Sequence, residues 1–127
     1  MFLPRGEWKK LPDNYQIGNL ILSLQYIYQF MRVFAKRILR EFWEKQSDSE
    51  QQLKTWFREA SKANWASPSE IKAEYPRASI LKDKKVIFNI CGNKYRLVAR
   101  INYPRGWVFI LFIGTHTDYD KIDVDKI

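Results

Sequence analysis

The chain has 127 residues, 46% hydrophobic and 28% charged, enough for one domain with its own core and too apolar for global disorder. One cysteine, Cys91, and one histidine, His116, exclude an intrachain disulfide and leave a zinc or iron site with almost no ligands to draw on. The net charge of +8, from 22 basic and 14 acidic residues, points to a polyanionic partner such as RNA, DNA, a ribosome or an anionic membrane, or to a merely basic surface.

Residues 1–30 read differently from the rest. Arg5, Gly6, Pro12, Asp13 and Asn14 make a loop-like opening before the apolar run NLILSLQYIYQF. Ser23, Gln25 and Gln29 interrupt that run, and a membrane span needs roughly 20 apolar residues. It is a poor secretory signal too, with its positive charge far ahead of the apolar part and no small-residue cleavage site behind it. Leu20, Leu24, Ile27 and Tyr28 fit one side of a short helix, and a strand fits as well; a peripheral, weakly held segment is expected. Met31 opens a new composition. Residues 1–30 hold only Arg5, Lys9 and Lys10 against Glu7 and Asp13, so nearly all the positive excess belongs to residues 31–127. The expectation is that Met31 is the native start and that residues 1–30 are an upstream extension.

Arg32-Val33-Phe34 reads as one short strand. From Ala35 to Gln46, Ile38, Leu39, Phe42 and Trp43 recur at helical spacing with charged residues between them. Ser47 and Glu50 have the spacing of a capping box, so a second helix is predicted to start there, with Leu53, Trp56, Phe57, Ala60 and Ala63 as its apolar face. Ser67-Pro68-Ser69-Glu70 is another start signal, for a helix kept brief by Pro76. Residues 66–85 are otherwise expected to be loop. Their cluster Lys82, Lys84 and Lys85 would offer phosphate contacts at the mouth of the sheet.

The run Lys84–Asp123 contains three strand-like stretches: KKVIFNI, KYRLVARINY and WVFILFIG. A Gly92-Asn93 turn pairs Ile90 with Tyr95, Asn89 with Arg96, Phe88 with Leu97 and Val86 with Ala99. One face then presents Val86, Phe88, Ile90, Tyr95, Leu97, Ala99, Ile101 and Tyr103 to the helices. The other presents Ile87, Asn89, Arg96, Val98, Arg100 and Asn102, half apolar and half basic, with no obvious cover. A three-residue Pro104-Arg105-Gly106 loop would pair Tyr103 with Trp107 and continue the open face through Val108, Ile110, Phe112, Gly114 and His116. Trp107 to Ile113 is apolar at both parities, which predicts a central strand with Arg32–Phe34 on its free side. In this register Arg96 lies opposite Gly114, with His116 one step along and Asn89 across the other ladder. A guanidinium, an imidazole and an amide converge beside a glycine that leaves room for a ligand.

The same residues carry a family resemblance. Met31-Arg32-Val33, the segment FNI-x-GN-x-YRL-V (Phe88 to Val98) and GTH-x-x-YD-x-ID (Gly114 to Asp123) resemble the HigB-type toxins, a RelE-like branch of the type II toxin–antitoxin systems, over about residues 31–127. The resemblance implies an α+β fold: two to three helices packed on a small antiparallel sheet in the order β-α-α-β-β-β, with a short C-terminal helix. It implies a cytoplasmic mRNA interferase acting at the ribosome without metal or cofactor, neutralised by a cognate helix-turn-helix (HigA-type) antitoxin, with no membrane role. Cleavage would proceed by attack of the 2′-hydroxyl on its own phosphodiester. That chemistry needs a proton acceptor, a donor for the leaving 5′-oxygen and positive charge for the phosphorane.

Arg96 is then the candidate for phosphorane stabilisation and His116 for acid or base. Tyr119 would stack on a base or donate a proton, and Lys121 would share the charge work. Lys82, Lys84, Lys85, Lys94 and Arg100 would guide the RNA backbone. Asn89 and Asn93 would position the site, unless Asn93 is simply the turn residue. Asp118, Asp120, Asp123 and Asp125 lack the glycine and terminal Glu of a calcium loop and are expected to cap a short helix or stay in solvent. A non-catalytic RNA-binding module and a gyrase-inhibiting toxin of the same fold are the rival readings. The convergence of Arg96 and His116 on one basic face speaks against the gyrase inhibitor, and a cleavage assay separates the binding module.

Overall fold

The structure, a computed structural model, describes residues 31–127. The expectations placed on residues 1–30, a weakly held apolar segment and a native start at Met31, lie outside the described residues.

β1 (Arg32–Phe34) leads into α1 (Lys36–Lys45), and a 3₁₀ turn at Ser47–Ser49 separates α1 from α2 (Glu50–Lys62). The apolar spacing decides which faces are buried. Leu39 and Trp43 of α1 and Leu53, Trp56 and Ala60 of α2 enter the core, and Ile38, Phe42 and Phe57 pack against it. Burying a leucine fully, as at Leu39 and Leu53, contributes about 1.5–3 kcal/mol. The Ser47–Glu50 capping box does not form. Glu50 instead holds the Lys54 ammonium at 2.7 Å, and the tight turn is closed by the Ser49 hydroxyl donating to the Gln46 carbonyl at 2.7 Å. Pro68 does open α3 (Pro68–Glu74), where the Glu70 carboxylate accepts from the Ala66 amide at 2.9 Å. The helix ends at Tyr75, whose φ of −125° and ψ of 79° satisfy the restriction imposed by Pro76.

A two-residue strand, β2 (Ser79–Ile80), lies within the segment expected to be loop and pairs with β3 (Lys85–Ile90). Then follow β4 (Tyr95–Asn102), β5 (Trp107–Thr115), α4 (His116–Asp120) and a 3₁₀ turn at Val124–Lys126. The sheet order is β1-β5-β4-β3-β2, antiparallel except that β1 runs parallel to β5. The architecture is the expected α+β one, with β1 on the free side of β5 and a parallel pair there.

The β3–β4 register is the expected one, from Asn89 opposite Arg96 to Val86 opposite Ala99. Its turn takes left-handed backbone at Cys91 and Gly92, not at Asn93, and closes with the Lys94 amide on the Cys91 carbonyl at 3.2 Å. The β4–β5 connection departs from expectation by one residue. Asn102, not Tyr103, faces Trp107, and Gly106 supplies a φ of +73°. A bulge then leaves Leu111 without a partner, since Val98 faces Phe112 while Ala99 faces Ile110. The two offsets cancel, and Arg96 faces Gly114 as expected. Between them the parity is reversed. Val108 and Ile110, assigned to the open face, join the helix-side core, while Trp107 and Phe109 take the outer face.

The outer face is not left uncovered either. Ile87 and Val98 are buried although they stand apart from the helix-side cluster. The C-terminal segment is pinned there from three directions. Lys85 donates to the Val124 carbonyl at 2.7 Å, Arg100 to the Ile127 carbonyl at 3.5 Å, and Lys82 pairs with Asp125 at 3.6 Å.

Candidate active site

The site is built where β5 ends and α4 begins. Thr115 is the N-cap of α4: its hydroxyl accepts from the Asp118 amide at 3.0 Å, and the Asp118 carboxylate accepts from the Thr115 amide at 3.4 Å. This reciprocal pair fixes the direction in which the chain leaves the sheet. His116, the first helical residue, is tied down further by its amide, which donates to the Lys94 carbonyl of the β3–β4 turn at 3.2 Å.

From that position the imidazole meets Arg96, with the guanidinium Nη2 2.9 Å from His116 Nε2. A guanidinium has no lone pair to offer, so Nη2 donates and Nε2 accepts. The ring proton therefore sits on Nδ1, which faces the Asp120 carboxylate at 3.3 Å. Arg96, His116 and Asp120 form a chain in which the carboxylate selects the tautomer and leaves the Nε2 lone pair directed at the guanidinium. Asp120, expected only to cap or to face solvent, has this further contact. The signal for it was its spacing, one helical turn after His116.

Arg96 is held from below as well. Its guanidinium lies 4.7 Å from the centroid of the Tyr119 ring, and Tyr119 meets Phe112 edge-on at 6.2 Å. Arg96 Nε is buried without a hydrogen-bond partner, so the guanidinium keeps donor capacity that the fold does not use. Gly114 does not leave room for a ligand, as the sequence suggested. The Phe112 ring and Asp118 occupy that space, and a Cβ on Gly114 would lie 2.6 Å from Phe112 Cζ. The glycine serves the packing beneath the site.

The turn that carries Lys94 is anchored from the helical layer. Asp48 accepts from the Tyr95 hydroxyl at 2.6 Å and pairs with the Lys94 ammonium, while Gln52 accepts from the Cys91 amide at 2.7 Å. The Lys94 contact and then that of Tyr95 hold the Asp48 carboxyl below the usual carboxylate range, and Asp48 in turn pushes Lys94 and Tyr95 up. Burial above all pushes the Cys91 thiol up, which makes it a poor nucleophile.

Of the residues expected at the site, Arg96, His116 and Tyr119 are in direct contact, and Asn89 faces Arg96 across the ladder. Lys84 and Lys121 are exposed. Lys82, Lys94 and Arg100 are exposed but partnered, to Asp125, Asp48 and the Ile127 carbonyl. Lys85 is 2% exposed and turned into the fold, which removes it from the RNA-guiding set. Its ammonium is spent on the Val124 carbonyl, and it follows two residues of left-handed backbone, Asp83 and Lys84. Arg77 was not singled out. It donates to Asn93 at 3.3 Å and takes a 3.5 Å contact from Asn89 on its carbonyl, beside a cleft of about 200 Å³ that Phe88 and Asn89 of β3 help to line. No sequence signal marks it, because its neighbours arrive only through the fold.

The chain is 24% identical over 94 residues to "mRNA interferase HigB" of Escherichia coli O6:H1 strain CFT073, covering 72% of this chain and 91% of that protein. It is 27% identical over 92 residues to "mRNA interferase toxin HigB" of Escherichia coli K12, covering 71% of this chain and 88% of that protein, and equally similar to "mRNA interferase HigB" of Shigella flexneri. Residues 49–122, from the start of α2 to the residue after Lys121, match the HigB toxin family, so the chain belongs to that family, the RelE-like toxic component of a toxin–antitoxin system.

Proposed function

We propose that this toxin is an endoribonuclease that cuts mRNA on the ribosome by 2′-hydroxyl attack, without metal, with Arg96 and His116 as its central pair. The observation that carries the reading is the 2.9 Å Arg96–His116 contact on the outer face of the sheet. The relatives' names supply the substrate class.

In this scheme a non-bridging phosphate oxygen replaces His116 Nε2 as the partner of Arg96. The fork then faces the charge that grows on the phosphorane, where a fixed donor is worth most. The freed Nε2 takes the 2′-hydroxyl proton as the 2′-oxygen bonds to phosphorus, and Asp120 stabilises the resulting imidazolium. The P–O5′ bond breaks, leaving a 2′,3′-cyclic phosphate and a 5′-hydroxyl, with the proton for the leaving oxygen supplied by His116 or Tyr119. Tyr119 also supports Arg96 as a platform. Lys121, Lys84, Lys94 and Arg100 guide the backbone, while Asn89 and Asn93 position the strand. The antitoxin that family membership implies is, in this reading, a helix-turn-helix protein of the HigA type, and the setting is the cytoplasm, where ribosomes translate.

Primer extension on a translated mRNA after induction tests it. Wild type should give discrete new 5′ ends, and His116→Ala and Arg96→Ala should give none while keeping the wild-type melting temperature to within a few degrees. Intact mRNA accompanied by DNA damage would overturn the reading in favour of a gyrase inhibitor.

A further inference from the structure

The other end of the outer face carries a feature that the cleavage scheme does not use. Phe34 on β1 lies directly opposite Phe109 on β5, and their rings stack at 5.2 Å with 18° between planes. Trp107 meets both edge-on, at 6.2 Å from Phe34 and 6.1 Å from Phe109. None of the three belongs to the helix-side core, and Phe34 is 40% exposed. Three large rings thus support one another on a solvent-facing surface.

The strand and turn positions beside this cluster are basic. Arg105 lies 5.0 Å over the Trp107 ring, Arg32 is exposed opposite Trp107, and Arg100 is exposed opposite Phe109. β1, β4 and β5 contain no Asp or Glu. An apolar platform ringed by guanidinium groups is complementary to a ligand with flat faces and a polyanionic backbone. Unpaired bases stack on aromatic side chains regardless of sequence, and arginine serves both their faces and their phosphates. The platform shares its face with Arg96 and His116. Along β5 the run from Phe109 to Gly114 spans about 16 Å at roughly 3.3 Å per residue, a distance that a few nucleotides of single strand can bridge.

We propose that Phe34, Trp107 and Phe109, flanked by Arg32, Arg100 and Arg105, form a base-stacking platform that holds single-stranded RNA a short distance from the scissile phosphate. The proposal rests on the RNA-cleaving reading for its ligand but makes a separate demand. Bases must be gripped outside the catalytic pair, so the platform governs affinity and leaves the chemical step alone.

The test uses the full chain in a His116→Ala background, which keeps the probe intact, with a fluorescently labelled single-stranded oligoribonucleotide read by anisotropy. Phe34→Leu preserves bulk and removes the aromatic face; Phe34→Tyr preserves the face. Phe34→Leu should weaken binding about tenfold, the effect of losing one stacked base, and Phe34→Tyr should bind normally. On the same oligonucleotide made abasic throughout, Phe34→Leu and its parent should bind alike. Three outcomes overturn the proposal: no RNA binding by the parent, unchanged binding by Phe34→Leu at an unchanged melting temperature, or an equal loss on the abasic probe. Loss of antitoxin binding by Phe34→Leu with RNA affinity unchanged also overturns it, assigning the patch to a protein partner. Cleavage is scored apart, in an otherwise wild-type chain. If RNA is bound through Phe34 but translated mRNA is never cut, the cleavage reading falls and the platform stands. If Phe34→Leu cuts with unchanged KM, the platform falls and the cleavage reading stands.

Discussion

Gly114→Ala probes whether the site depends on the packing beneath it. Gly114 is buried with ordinary backbone angles, so alanine meets no conformational barrier there. The added methyl, however, would lie 2.6 Å from Phe112 Cζ, 3.2 Å from Phe112 Cε2 and 3.3 Å from Asp118 Cβ. Overpacking of this kind costs about 1–3 kcal/mol, and the end of a phenyl ring yields more easily than backbone, which favours the lower figure. Replacing glycine also reduces the entropy of the unfolded chain, an opposing effect of roughly 0.4–1 kcal/mol. The net loss should be about 1 kcal/mol or less, a fall in melting temperature of no more than roughly 4–8 °C for a domain of this size. Activity should suffer far more. The displaced Phe112 ring pushes on Tyr119, and Tyr119 carries the Arg96 guanidinium. A shift of about 1 Å in a catalytic group can cost on the order of a hundredfold in rate. Circular dichroism melts and primer extension at a temperature well below the transition read the two effects separately. Phe112→Leu removes the atoms in conflict, so the double variant should recover part of the melting temperature lost by Gly114→Ala. A cleavage rate within twofold of wild type for Gly114→Ala would refute the reasoning. So would strict additivity of the two substitutions in stability.

Two further outcomes follow from the anchoring of the outer face and of the β3–β4 turn. Because the Asp48 carboxyl is held below its ordinary value of 3.8, its contribution to stability is fully present above that pH and is lost as pH falls through the lower folded value. Asp48→Asn should therefore melt earlier than wild type at neutral pH and lose less on acidification below about pH 4; parallel acid limbs for the two proteins would contradict this. Lys85→Met should release the Val124 carbonyl and quicken amide exchange in residues 123–127, yet leave RNA affinity within about twofold, whereas Lys84→Ala should weaken it and reduce its salt slope by about one; an affinity loss on Lys85→Met would return that lysine to the RNA-binding set.

The helices were legible because their apolar residues recur at a period that few other arrangements produce, and Leu39, Trp43, Leu53 and Trp56 all fall where that period puts them. The β3–β4 pairing was legible because the turn residues Gly92 and Asn93 tie the register to a short loop. The β4–β5 pairing was not legible in detail. Trp107–Ile113 is apolar at both parities, so hydrophobic alternation could not reveal that Val108 and Ile110 point inward or that Leu111 forms a bulge. Arg96 came to face Gly114 through two cancelling offsets, and its contact with His116 owes as much to the Thr115–Asp118 cap as to the register. Contacts made at long range left no trace in the sequence. The Asp48 anchor on Lys94 and Tyr95, and the docking of Lys85 on Val124, join residues that only the finished fold brings together.

Those contacts change what the net charge means. Read as a total, the positive excess of residues 31–127 suggests a uniformly basic surface. In the folded chain part of it is already committed: Lys94 to Asp48, Lys82 to Asp125, and Lys85 and Arg100 to main-chain carbonyls of the C-terminal segment. These cations hold the β3–β4 turn and the covering tail in place. Arg96 is different. Its partners are a neutral imidazole nitrogen and an aromatic ring, neither of which cancels its charge. A full positive charge, stacked below, bonded to one replaceable acceptor and half-shielded from water, is held ready for an anion. The fold thus sets Arg96 apart from the cations that secure the turn and the tail. On the proposed cleavage reading, selectivity for a phosphodiester follows from that separation more than from the size of the net charge.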